Sequence, residues 1–133
     1  MKSTDTSATI RILIADDQAR VRRELSTLLQ LTPGLEVAGE AANGLEAVRQ
    51  AEQLKPDVVL MDLAMPGLDG IEATRQIVVR GLARGVVVLT IHGHAAARQG
   101  AAQAGADAFI EKGTDIPALI EAIRRAAESA QAG

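Results

Sequence analysis

The chain reads IRILIADD from Ile10 to Asp17, a largely apolar run that ends on two carboxylates. A short run of this kind, rich in isoleucine and bounded by polar residues, is typical of a buried strand in a parallel sheet. The carboxyl ends of parallel strands meet at one edge of an open sheet, and ligands bind there. We therefore expect the Asp16-Asp17 pair at the functional edge of the domain, although an acidic pair alone is common in solvated turns.

Three further apolar runs each lead into a residue that can take part in phosphate chemistry. They are Val58–Met61 before Asp62, Val86–Leu89 before Thr90, and Ala108–Glu111 before Lys112. If all four runs are parallel strands, three carboxylates, a hydroxyl and an ammonium converge on one small site. Hard oxygen ligands of this kind suit Mg²⁺, which uses few protein carboxylates. Each residue alone has an ordinary interpretation, a strand cap or a surface lysine, so the prediction depends on their combination.

Helical patterns alternate with the strands, which predicts one α/β domain. The run at 35–41 (LEVAGEA) is a weaker strand without a chemically useful end, so we place it at the sheet edge. The expected fold is a doubly wound, flavodoxin-like parallel sheet of five strands in the order 2-1-3-4-5, with five helices, two on one face and three on the other. Four residues of the third helix are expected to lie on one inward face: Ile71, Thr74, Ile77 and Val78.

The fourth predicted helix, about residues 95–104, is mostly alanine with Gly100 inside it. An interior glycine costs a helix about 1 kcal/mol relative to alanine, and the segment offers few large side chains for burial. We therefore expect this helix to be weakly anchored. The fifth helix is expected to begin after Asp115, with Pro117 in its first turn.

Composition limits the classes of function. The 133 residues suit a single domain, predicted over 10–128, with a flexible tail at 1–9 and a tail or the start of a linker at 129–133. A net charge of −3 does not indicate the basic surface that binding of nucleic acid requires. Phe109, the only aromatic residue, cannot form a platform for stacking bases. No signal peptide or membrane-spanning run is recognisable, so we expect a cytoplasmic protein without a membrane partner.

These motifs, in this order and spacing, resemble a two-component response-regulator receiver domain of the NarL/FixJ type over about residues 10–127. The resemblance is carried by four elements: Asp16-Asp17, Asp62 in MDLAMPGLDG, Thr90 in VVLTIH, and Lys112 in GADAFIEK. It implies that Asp62 accepts a phosphoryl group from the phosphohistidine of a sensor histidine kinase. It also implies a Mg²⁺ cofactor, held directly by Asp17, by Asp62 and by the backbone carbonyl of Ala64, while Asp16 acts through metal-bound water.

The remaining site residues have implied roles in charge neutralisation and switching. Lys112 would neutralise the phosphoryl oxygens, and Thr90 would move its hydroxyl onto them, with Phe109 following inward. The output surface would be the fourth helix, fifth strand and fifth helix, controlling a DNA-binding effector domain outside this chain. A homodimer through that surface, or through the first and fifth helices, stays open. The domain itself would be no enzyme beyond its own phosphorylation and dephosphorylation.

Three positions depart from the family pattern. Ala64 stands where a polar side chain is frequent, Gln18 where this branch has histidine, and Phe109 where tyrosine is more common. None removes the phosphoacceptor chemistry.

The residues argue against two other classes of function and leave a third one open. A phosphatase of the haloacid dehalogenase type needs a second aspartate at Ala64, and a flavodoxin-like cofactor carrier needs a phosphate-binding loop where this chain has ADDQA. A phosphorylation-independent interaction domain remains a third alternative.

Overall fold

The computed structural model describes residues 9–65, 69–91 and 95–132, with side chains as far as residue 128. Five strands alternate with five helices along the chain. The strands are β1 (Ile10–Ala15), β2 (Leu35–Ala41), β3 (Val58–Met61), β4 (Gly85–Thr90) and β5 (Ala108–Glu111). The helices are α1 (Ala19–Gln30), α2 (Gly44–Leu54), α3 (Gly70–Val79), α4 (Ala95–Gln103) and α5 (Ile116–Ala132).

The strands form one parallel sheet in the order β2-β1-β3-β4-β5. This confirms the predicted order and places β2 at an edge. All residues of β3 and β4 are buried, as expected for central strands covered on both faces. Parallel pairing brings the carboxyl ends of β1, β3, β4 and β5 to the same side of the domain.

Alternation along the strands divides the core into two apolar layers. Leu13, Val59 and Val88 pack with buried residues of α2, α3 and α4. Ile12 and Leu60 face the opposite side, with buried residues of α1 and α5. The predicted division of two helices on one face and three on the other is confirmed.

Side-chain caps begin the helices that flank β3. The side-chain oxygen Oδ1 of Asn43 accepts a hydrogen bond from the Glu46 N–H at 2.8 Å, at the start of α2. At the start of α3, Asp69 accepts one from the Glu72 N–H at 2.8 Å. Each cap satisfies an amide that has no partner inside the helix, and so sets where the helix begins.

One predicted detail of the helices is wrong. Val78 is 39% exposed, because the inward stripe of α3 instead passes through Gly70, Ala73, Thr74 and Ile77. Helix α5 continues to Ala132, so the backbone of residues 129–132, predicted to be a tail or the start of a linker, is helical. Most of the predicted N-terminal tail, residues 1–8, lies outside the described residues.

Helix α4 is weakly anchored, as expected, because Ala101 is its only buried residue. Gly100 has a packing role that the sequence did not reveal: a Cβ there would lie 2.9 Å from the Cδ1 atom of Ile71 on α3. The small residue lets the two helices approach each other. Across the described ranges, no helix is long and apolar enough to cross a membrane.

Replacing Thr74 by valine should raise the stability of the domain. Thr74 is fully buried on α3, and its hydroxyl has no hydrogen-bond partner among the residues that the structure describes. Valine keeps the shape and removes an unpaired polar group, so the free energy of unfolding should rise by about 1 kcal/mol. Urea unfolding measures this, with Thr27→Val, an exposed threonine of α1, as the matched control. A loss of stability in Thr74→Val would show that the hydroxyl has a partner.

Candidate functional site

Three carboxylates meet at the carboxyl edge of the sheet. Asp16 and Asp17 follow β1, and Asp62 follows β3; one oxygen of each lies within 4.8 Å of the others. Asp16 and Asp62 are only 1% and 5% exposed, whereas Asp17 faces solvent. The convergence predicted from the strand ends is therefore present in the structure.

The backbone holds Asp62 firmly in place. Its N–H donates to the Ala15 carbonyl at 3.0 Å, which continues the pairing of β3 with β1 beyond the last strand residue. Its carboxylate oxygen Oδ1 accepts a hydrogen bond from the Ala64 N–H at 3.2 Å. Gly70 closes the other side, since a Cβ at that position would lie 2.2 Å from the Asp62 carbonyl oxygen. Only glycine allows the first turn of α3 to lie so close to the backbone of this residue.

One ammonium group partly compensates the negative charge. The Nζ atom of Lys112 lies 2.7 Å from Oδ2 of Asp16 and 3.6 Å from Oδ2 of Asp62. The lysine is held by its own backbone, because its N–H donates to the Thr90 carbonyl at 2.7 Å. Its side chain is 16% exposed, so the attraction is weakly screened by solvent. The closer ion pair is with Asp16, which the sequence did not indicate.

Burial raises the pKa of Asp62 above its ordinary value, because the pocket removes water from the carboxylate. The Ala64 N–H and the Lys112 ammonium lower the pKa, whereas the neighbouring Asp16 and Asp17 raise it further. On balance, ionising this carboxyl group costs more free energy in the folded protein than in the unfolded chain. An added cation at this edge would favour the ionised form.

The acidic residues differ in what they have left to offer a metal ion. Asp16 is already engaged, by Lys112 on Oδ2 and by the Gln18 N–H on Oδ1 at 2.9 Å. Within the described part of the chain, Asp17 makes no hydrogen bond or ion pair, and Ala64 beside Asp62 is exposed. Carboxylate and carbonyl oxygens are the donors that Mg²⁺ prefers, so this donor set fits the ion.

The two predicted switch residues lie on the neighbouring strands. Thr90 ends β4, the strand that pairs with β3, and is 3% exposed. Phe109 in β5 is half-buried against the layer that includes α4. The guanidinium of Arg98 in α4 lies 4.7 Å from the centre of the Phe109 ring, a cation–π contact between the helix and the strand.

Sequence reasoning missed two residues that support the site. Arg22 of α1 donates from Nη1 to the Asp16 carbonyl at 2.7 Å, and from Nε to the Glu40 carboxylate at 3.1 Å. Glu40 belongs to β2, the strand predicted to end without a chemically useful residue. A signal was present in the arginines at the N-terminal end of α1, where a cation opposes the helix dipole.

The family model for the response regulator receiver domain matches residues 12–124. The chain belongs to this family. The receiver domain is that of a two-component response regulator, and the general function of the family is a phosphorylation-dependent switch. The predicted resemblance to NarL/FixJ-type receiver domains is confirmed, and the predicted class of function with it.

Both transcriptional regulators and an enzyme are similar to this chain. The transcriptional regulatory protein LiaR of Bacillus subtilis is 41% identical over 119 residues, which cover 90% of this chain and 56% of LiaR. A protein-glutamate methylesterase/protein-glutamine glutaminase of Alkalilimnicola ehrlichii is 42% identical over 87% of this chain, but only over 30% of its own length. The structure of a LuxR-family response regulator from Aurantimonas sp. SI85-9A1 matches with a TM-score of 0.82 and 38% identity, covering 90% of this chain and 85% of that one. This chain thus spans about half the length of LiaR and less than a third of the methylesterase.

Neutralising Asp62 should stabilise the metal-free domain at neutral pH. Because the folded-state pKa lies above the ordinary value of 3.8, the folded protein binds this proton more tightly than the unfolded chain does. Wild type should therefore lose stability relative to Asp62→Asn as the pH rises from 3.8 through the raised pKa, and the difference should then stay constant.

Thermal unfolding of both proteins across that pH range, with chelator present, measures the effect. Below the ordinary carboxyl pKa the two proteins should be equally stable. Glu36→Gln, which removes an exposed carboxylate of β2 away from the cluster, is the control for the loss of one negative charge. A variant Asp62→Asn that is less stable than wild type at neutral pH would contradict the account.

Proposed function

We propose that Asp62 is the phosphoacceptor of this receiver domain and that Mg²⁺ is required for its phosphorylation. The observation that carries the proposal is the cluster of Asp16, Asp17 and Asp62 within 4.8 Å, with the Lys112 ammonium 3.6 Å from Asp62. Asp62 lies near both the acidic pair and the lysine, and it is the residue that the family resemblance implies as the phosphoacceptor. The phosphodonor is the phosphohistidine of a sensor histidine kinase, in keeping with the family.

The reaction needs little from the protein beyond position and charge. A carboxylate oxygen of Asp62 forms a bond to phosphorus while the bond from phosphorus to the donor imidazole nitrogen breaks, and the imidazole keeps the electron pair and takes up a proton. Lys112 neutralises charge on the transferring oxygens, and the Ala64 N–H orients the attacking carboxylate. Asp17, Asp62 and the Ala64 carbonyl would hold Mg²⁺ directly and Asp16 would act through water, and the bound ion would supply the remaining positive charge.

The proposal extends to the output of the domain. Thr90 would move its hydroxyl toward a phosphoryl group on Asp62, and Phe109 would move inward beneath α4. The surface of α4, β5 and α5 then changes and controls a DNA-binding effector domain outside this chain; a homodimer through this surface or through α1 and α5 is part of the same hypothesis. The similarity of the chain to full-length transcriptional regulators such as LiaR supports this output.

No further enzymatic activity is proposed for the domain. The methylesterase relative matches over 30% of its length, so its name gives this chain no ester-hydrolysing role. The domain acts only on its own phosphorylation and dephosphorylation. The cytoplasm as its location, and the absence of nucleic acid and membrane among its direct partners, remain parts of the proposal.

Incubation with acetyl phosphate and Mg²⁺ should add one phosphoryl group to Asp62, measured by intact-protein mass spectrometry. Asp62→Ala and addition of EDTA should each abolish the added mass, and Asp17→Ala should strongly reduce it, because the metal ligands are lost. Asp115→Ala is the matched control outside the cluster and should react as wild type. Phosphorylation of Asp62→Ala to the wild-type level, or insensitivity to EDTA, would overturn the assignment.

Helix α4 should be the most easily opened part of the output surface. It buries only Ala101, so the amides of residues 95–103 should exchange with deuterium faster than those of α5, whose inner face is buried. Beryllofluoride with Mg²⁺, a mimic of the phosphoryl group, should slow exchange in α4 and leave α2, a helix outside the output surface, little changed. Hydrogen exchange measured by mass spectrometry tests this, with α2 as the internal control. Equal, strong protection of α4 in both states would contradict the prediction.

A further inference from the structure

We propose that Arg22 is a positioning residue for the metal site, and that it acts by fixing the backbone of the acidic pair. This inference rests on the proposed function, because it concerns the same Mg²⁺ site. The guanidinium donates from Nη1 to the Asp16 carbonyl at 2.7 Å and from Nε to Glu40 at 3.1 Å. One planar side chain thus connects α1, the segment after β1, and the edge strand β2.

The segment that carries the acidic pair needs such support. Asp16, Asp17 and Asp62 repel one another, and the repulsion drives the exposed Asp17 outward unless the backbone is held. Three other groups of Asp16 are fixed: its N–H donates to the Ala41 carbonyl at 3.0 Å, and its carboxylate accepts from Gln18 and Lys112. The hydrogen bond from Arg22 fixes the remaining one, the carbonyl, which is part of the peptide unit leading to Asp17.

The position of Arg22 is unfavourable for the helix alone. It lies four residues after Gln18, the residue before α1, and Gln18 makes no side-chain cap. A cation at this end opposes the helix dipole. Arg22 is also largely covered, with a side chain 17% exposed, unlike Arg20 and Arg23 on the same helix. Its two contacts offset that unfavourable placement.

The sign of the effect on metal affinity separates positioning from simple charge. If Arg22 acted only as a nearby positive charge, its removal would strengthen Mg²⁺ binding, because cations repel. If it positions Asp17, its removal weakens binding although the site becomes more negative. Arg22→Lys keeps the charge but loses the planar fork that reaches two acceptors, so it should fail to restore the affinity.

The experiment is calorimetric titration with Mg²⁺ of the full chain and its variants. Arg22→Met should bind Mg²⁺ about tenfold more weakly than wild type, the equivalent of one charge-assisted hydrogen bond, and Arg22→Lys should resemble Arg22→Met. Glu40→Gln keeps an oxygen acceptor for the guanidinium and should stay close to wild type. Arg23→Met removes the same charge from an exposed neighbour and should bind Mg²⁺ as well as wild type or slightly better.

A second measurement separates positioning from loss of stability. Arg22→Met leaves Glu40 without its cation, so the double variant Arg22→Met/Glu40→Gln should recover thermal stability while its Mg²⁺ affinity stays low. Unchanged or stronger binding by Arg22→Met, or affinity that recovers together with stability in the double variant, would overturn the inference. Failure of wild type to bind Mg²⁺ would instead overturn the proposed function.

Discussion

Among the residues that the structure describes, three carboxylates share one edge of the sheet with one ammonium group. The properties of the site depend on this excess of negative charge. Asp16 and Asp62 are nearly inaccessible to solvent, so water contributes little to stabilising their ionised forms. Lys112 contacts both, most closely Asp16, and burial still leaves Asp62 with a raised pKa, because the ammonium and the Ala64 N–H offset the loss of water only in part. Such a site favours any partner that brings positive charge, and a divalent cation is the simplest one.

The sheet holds these like charges close together by fixing the backbones of their residues from several sides. Backbone pairing of β1 with β3 sets the separation of the two buried carboxylates, and the pairing of β4 with β5 places Lys112 opposite them. Gly70 brings the first turn of α3 against the backbone of Asp62. In contrast, α4 has one buried residue and a cation–π contact to Phe109. Rigidity at the carboxylates and weak anchoring of α4 are what a switch requires, since a local change of charge must shift a distant surface.

Much of this could be predicted because two rules act on the sequence directly. Buried parallel strands are short apolar runs, and their carboxyl ends meet, so the residue that follows each run is a candidate for the site. This reasoning brought Asp62 and Lys112 together with the acidic pair, as the structure does, and it placed β2 at the edge; Thr90 remains a candidate. It also made Val78 an inward residue, because periodicity alone does not fix the rotation of a helix that has several small residues on its buried face.

What could not be predicted depends on side chains that reach across elements. The contacts of Arg22 with Asp16 and Glu40 join residues 6 and 18 positions apart along the chain. The arginines at the start of α1 are a signal, but no local pattern identifies their partners. The same is true of the preference of Lys112 for Asp16, at a separation of 96 residues. Gly100 was predicted to weaken α4, but its small size also admits Ile71, which only the packing of α3 against α4 reveals.

We propose that Asp62 and its charged neighbours form a phosphoacceptor site that requires a metal ion. A crystal structure of the chain with Mg²⁺ and beryllofluoride would test this at the level of single contacts. We expect a beryllofluoride adduct on Asp62, Mg²⁺ bound by Asp17, Asp62 and the Ala64 carbonyl, and the Lys112 ammonium in contact with a fluorine atom. A structure in which beryllofluoride is bound elsewhere, or in which Mg²⁺ avoids Asp17 and Asp62, would contradict it.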